Sequence, residues 1–116
     1  MDDLAIITVS LGAGGSGTID LSGADTNVFN VALAWAKLKS IMVVAAAGNG
    51  STVDIADGAN AAIAAFQPLP PGACCFWADP TTGLTVTGGS ADILNFTNND
   101  GAAAASVDVY LTGVKS

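Results

Sequence analysis

The chain has 116 residues, 51% hydrophobic and only 11% charged, with a net charge of −7. That length suits one domain spanning 1–116 that buries a core without a metal or a disulfide, and the hydrophobic content excludes a disordered chain. All ten acids are Asp, the only bases are Lys37, Lys39 and Lys115, and Arg, His and Glu are absent, so nucleic acid and anionic membrane surfaces are both excluded as expected partners.

In chain order, Ala5–Leu11 is β-branched and bounded by glycine, which predicts a strand. Gly12–Gly17 reads as a flexible loop, and Thr18–Leu21 alternates as a short strand. Residues 1–17 form a possible N-terminal strand or arm, able to pair with an edge strand of a neighbour. Val28–Lys39 fits two patterns. Phe29, Val31, Leu33 and Trp35 suit a strand, while Val28, Val31, Ala32, Trp35 and Leu38 suit a helix capped by Asp25, Thr26 or Asn27. The expectation is a strand over 28–34 and one helical turn through Lys37.

Leu38–Ala47 and Ser51–Ala56 read as strands joined by a tight hairpin at Gly48-Asn49-Gly50. The Ala-rich stretch 58–66 suits a weak strand, a loop or a short helix. Pro68, Pro70 and Pro71 interrupt the chain, and Gly72 releases it into a strand over 73–77. Asp79–Gly83 is a turn. Strands follow over 84–87, with Leu84 and Val86 on one face, and over 92–97, with Asp92, Leu94 and Phe96 inward. Asn98-Asn99-Asp100-Gly101 carries hairpin chemistry. The last strand, 106–114, sets Val107, Val109 and Leu111 against Asp108, Tyr110 and Thr112. Short strands with turn signals about every ten residues predict an all-β, single-domain antiparallel β-sandwich. It is expected to be jelly-roll-like, with about eight strands and at most a short helical turn.

The motifs that could carry chemistry favour bland readings. Gly12, Gly14 and Gly17 match the spacing of a dinucleotide-binding loop, but strand periodicity follows where a helix must open. The paired carboxylates Asp54/Asp57 and Asp79/Asp92 sit where turns and polar faces use Asp for backbone reasons, without the usual tuning partners. Asp54–Gly58 and Asn98–Gly101 offer oxygen ligands, yet the first lacks the density of a calcium loop and the second is explained by its turn. Cys74 and Cys75 are adjacent, so a strand points them to opposite faces and they are expected reduced, one in the core. Asn49-Gly50-Ser51 and Asn95-Phe96-Thr97 match the glycosylation pattern by chance. Trp35, Trp77 and Tyr110 suit core or interface anchors better than a sugar platform. No catalytic, cofactor-binding or metal-ligating residue is expected, and the chain is not expected to be an enzyme.

No stretch approaches the ~20 apolar residues of a membrane helix. The start, Met1-Asp2-Asp3-Leu4, lacks the positive region of a signal peptide, so synthesis in the cytoplasm is expected. Soluble surfaces are usually about 25–35% charged, and a chain this poor in charge is expected to be covered by neighbouring subunits.

The C-terminal half runs Leu69-Pro70-Pro71-Gly72, an apolar strand, Asp79-Pro80, Gly83-Leu84-Thr85-Val86-Thr87, then 91–98 and 106–113. This order, over about residues 38–114, resembles the small virion proteins of tailed bacteriophages, including capsid decoration and accessory head proteins with β-sandwich folds. Ala73 stands where that pattern has a second glycine, the adjacent cysteines lie outside it, and residues 1–37 do not match. The resemblance implies a structural virion protein on the outer surface of the head, often a homotrimer, bound to the major capsid protein or another virion protein. A tail, neck or fibre component, and a carbohydrate-binding or cell-surface module, are the alternatives.

Overall fold

A computed structural model describes residues 3–23, 25, 26, 29, 31, 33–56, 68–79, 81–88 and 92–115. Among them are eight strands and no helix: β1 (Asp3–Leu11), β2 (Ser16–Asp20), β3 (Trp35–Ala45), β4 (Val53–Ala56), β5 (Cys74–Ala78), β6 (Leu84–Thr85), β7 (Ile93–Asn98) and β8 (Ala105–Lys115). The Ala-rich segment 58–66 lies outside the described residues.

The strands form two antiparallel sheets, ordered β1-β8-β3-β5 with β6 also on β3, and β2-β7-β4. Leu69 adds a bridge beyond β4, exchanging both backbone hydrogen bonds with Val53 at 2.9 and 3.0 Å. Every connection between consecutive strands crosses from one sheet to the other, except that between β5 and β6. That alternation is the jelly-roll arrangement, and the fold is the expected β-sandwich. Alternating side chains from both sheets meet in one core, with Ile19, Leu38, Ile41, Val43, Val53, Leu94, Phe96, Val109 and Leu111 shut off from solvent. Burying each such side chain stabilises the fold by about 1.5–3 kcal/mol.

Several local expectations are corrected. Neither the strand over 28–34 nor the helical turn through Lys37 is present in the described residues of that stretch. Phe29 lies in a turn, Val31, Leu33 and Ala34 lie outside any strand, and β3 already begins at Trp35. Residues 27, 28, 30 and 32 are outside the described set. Leu33 and Trp35 donate their N–H groups to the carbonyls of Asp25 and Leu21, and Ala34 takes a positive φ of 44°. These contacts hold the segment against the exit of β2 and turn it into β3. The helix-like spacing has a definite cause. Register shifts fall between Trp35 and Lys37 and between Leu38 and Ser40, and each β-bulge spaces buried residues three apart instead of two. Trp35, Leu38 and Ile41 are therefore inward along a strand.

Gly48-Asn49-Gly50 does not close a hairpin, because β3 and β4 belong to different sheets. The same holds for Asn98–Gly101, which carries the chain from β7 to β8 across the sandwich. Both segments turn, but their asparagines serve distant backbone. Asn49 donates from Nδ2 to the Ser106 carbonyl and accepts the Ser106 N–H, both at 3.0 Å, so its amide imitates one bridge of a sheet. β1 pairs along its full length with β8 of its own chain, Asp3 opposite Gly113 through Leu11 opposite Ala105. The glycine loop after it is tied down by Gly14 N–H to Asp100 O at 2.7 Å and by Asn98 N–H to Gly15 O at 2.8 Å.

Candidate functional site

The two sheets differ on their outer faces. On β2-β7-β4 the cross-strand rows are Ser16–Thr97–Asp54 and Thr18–Asn95–Ala56, a polar surface of the ordinary kind. On the other sheet, the registers of β1, β8, β3 and β5 align Ile6, Tyr110, Met42 and Phe76 in one row. Because strand side chains alternate, all four point away from the core. Phe76 is 66% exposed and Ile6 is 52% exposed.

The flanking rows continue this surface. On one side lie Leu4, Thr112, Ser40 and Ala78; on the other lie Thr8, Asp108, Val44 and Cys74. The polar members of the flanking rows are largely internally satisfied. Ser40 and Thr112 share a 2.6 Å hydrogen bond, and Thr8 donates to the Asp108 carboxylate at 2.7 Å. Across these three rows Asp108 is the single formal charge. Lys37 and Lys39 enter at the other end of the face, where the two bulges of β3 turn extra residues outward. Lys39 donates to the Thr81 carbonyl at 3.2 Å. An apolar face with its charges confined to its ends can bind another apolar protein surface.

The residues weighed for chemistry are scattered. Gly12–Gly15 form a turn closed by Gly15 N–H to Gly12 O, and Gly17 lies in β2 against Val9 and Leu11, so no helix opens there. Asp54 accepts from Asn99 Nδ2 at 3.0 Å, and its suggested partner Asp57 lies outside the described residues. Asp79 accepts the Thr82 N–H, and that bond, aided by further backbone donors and Lys39, holds its carboxyl below the usual carboxylate range. Asp92 is buried beside the other sheet, accepting from Ser22 Oγ at 2.7 Å. It does not join Asp79. It lies instead with Asp20, which accepts from the same hydroxyl, while Asp25 accepts the Asp20 N–H. This carboxylate–serine knot escaped the sequence reading because Asp92 is 70 residues from Ser22. No group of three or more such side chains is placed to hold a metal ion among the described residues.

Trp35 is buried, Trp77 packs half-buried against the core, and Tyr110 faces outward, so the three aromatics share no platform. Cys74 is exposed and Cys75 half-buried, on the opposite faces of β5 that strand alternation requires. Asn95 of the second glycosylation pattern lies within β7, half-buried.

Ile6, Met42 and Phe76 were missed because no motif marks them. A signal existed in the unbroken apolar runs Ile41–Val44 and Cys74–Trp77, which are apolar on both faces. In a two-layer sandwich one of those faces must look outward. No family model and no curated protein matches the chain.

Proposed function

We propose that this chain is a structural virion protein of a tailed bacteriophage, a capsid decoration and stabilisation protein on the outer surface of the head. The observation that carries the reading is the apolar row Ile6–Tyr110–Met42–Phe76 on an otherwise charge-poor jelly roll. Such a face belongs to a protein that works among protein neighbours. The resemblance over residues 38–114 supplies the virion, and the net charge of −7 favours a place outside the shell, away from packaged nucleic acid. Its major partner would be the capsid protein.

The mechanism is mass action. A protein that binds only the assembled lattice stabilises it by about 2.7 kcal/mol per site when its free concentration is a hundred times Kd. Quantitative mass spectrometry of purified virions tests the reading. Hundreds of copies per particle are expected for a head protein. A few copies would move it to the tail, neck or fibre, and absence from the particle would overturn the virion role.

A further inference from the structure

We infer that the outer face of the β1-β8-β3-β5 sheet is a self-association surface, on which a second copy of this chain stacks with its strands running in the opposite direction. The inference stands on the geometry of the face and does not require the virion reading.

Size comes first. β1 has nine residues and the sheet is four strands wide, which gives a face of roughly 30 Å by 19 Å from the usual rise and strand spacing. With β5 only five residues long, two such faces remove on the order of 1,000 Å² from water, at the lower limit for a specific pair. Shape agrees, since a second sheet can stack about 10 Å away as the two sheets of a sandwich do. A face meeting its own copy makes a closed two-fold contact, so association stops at two chains and does not polymerise. That is a pair in place of the trimer implied by the resemblance.

Charge selects the orientation. Asp108 lies towards one end of the face and Lys37 at the other, while Lys39 donates to the Thr81 carbonyl and lies beside Asp79. If the partner's strands ran in the same direction, Lys37 would lie near its own copy and Asp108 near its own. With the strands reversed, the row Ile6–Tyr110–Met42–Phe76 lies on its own copy. The Asp108 end of each chain then lies over the Lys37 end of the other. Opposite charges at the rim of an apolar centre set register and suppress the wrong orientation. Cys74, exposed on β5 in the same row as Asp108, is covered in this pair.

Light scattering on the purified full-length chain, over a range of concentrations, reads the association directly. A mass of two chains is expected. Phe76→Asp and Ile6→Asp place a carboxylate at either end of the central row, on the outer strands β5 and β1, without touching the core, and each should weaken the pair about 30-fold or more. Circular dichroism checks that the variants remain folded. Thr18→Asp, on the polar face of the other sheet, should leave the pair intact. Independently of any variant, alkylation of Cys74 by iodoacetamide should slow as the protein concentration rises through the dissociation constant. A monomer at all concentrations, a mass of three or more, a pair indifferent to both substitutions, or concentration-independent alkylation would each overturn the proposal. A monomer abundant in virions would defeat this inference and spare the proposed function; a Phe76-dependent pair absent from virions would do the reverse.

Discussion

Asn98 is 1% exposed, and its side chain reaches three backbone groups. Nδ2 donates to the carbonyls of Gly12 at 3.0 Å and Ala103 at 2.8 Å, while Oδ1 accepts the Asp100 N–H at 2.9 Å. It therefore ties the β1–β2 turn to the β7–β8 crossing. Asn98→Ala strands these groups in a buried place, and the unfolding free energy should fall by about 2–4 kcal/mol, read from urea denaturation. A loss under about 0.5 kcal/mol, the range of an ordinary surface substitution, would show that water replaces the amide without cost. The turn itself was legible from Asn98-Asn99-Asp100-Gly101. Its partners were not, because Gly12 is 86 residues away and nothing local marks the contact. The vicinal cysteines give a second test at this scale. Burial pushes the Cys75 thiol up, against a lowering backbone hydrogen bond from Val43. A raised value leaves less thiolate at pH 8, so at concentrations too low for chains to pair Cys75 should be alkylated more slowly than Cys74 in the folded protein. Peptide mapping should show that difference vanish in urea.

At the scale of the element, the alternation of β7 and β8 was fully legible. Leu94, Phe96, Val107, Val109 and Leu111 are all inward, as their period of two requires. β3 was legible as a strand from Leu38 onward but not at its start, because its two bulges make the strand bury Trp35, Leu38 and Ile41 at helical spacing. The edge strand opposite is also irregular. Ser40 pairs with Ala78 and Leu38 with Leu84, so two residues of β3 correspond to six of the edge. The surplus forms the turn through Gly83, whose φ is 77° and whose Cα lies so near the Leu38 carbonyl that a Cβ would meet it at 2.8 Å. Gly113 answers the first bulge on the other side. The Trp35 indole lies directly over it, held by a 3.1 Å hydrogen bond from Nε1 to Asp3. A Cβ there would meet the ring and, at 2.8 Å, the Lys37 carbonyl. Gly113→Ala should cost about 1–3 kcal/mol by overpacking, measured as a lowered denaturation midpoint. Trp35→Leu in the same chain should recover part of that loss, since residues in contact are not additive. Equal losses with and without the tryptophan would mean that the ring is not the obstacle.

For the whole molecule, composition made the sandwich legible, but not which sheet each strand joins. Local turn chemistry suggested hairpins at 48–50 and 98–101, whereas the jelly roll sends both connections across the core. Strand neighbours are thus set by contacts between distant segments, which no window of sequence displays. The extreme case is β8. The last strand in the chain lies between β1, the first, and β3, and it pairs with both over most of its length. Its partners in β1 are about a hundred residues away, so the central ladder cannot form until nearly all of the chain is present, and such non-local pairing folds slowly. Once formed, a strand bonded on both sides and packed on the core opens only with the whole domain. Native-state hydrogen exchange should therefore find the slowest amides in β8 and in the Ile41–Val44 part of β3, exchanging at the free energy of global unfolding. The amides of β2 and β6, which are short and at or near sheet edges, should exchange through smaller openings. If β1 and β8 opened below the global free energy while β2-β7-β4 stayed protected, the ladder between the two ends of the chain would not be the part that closes the fold.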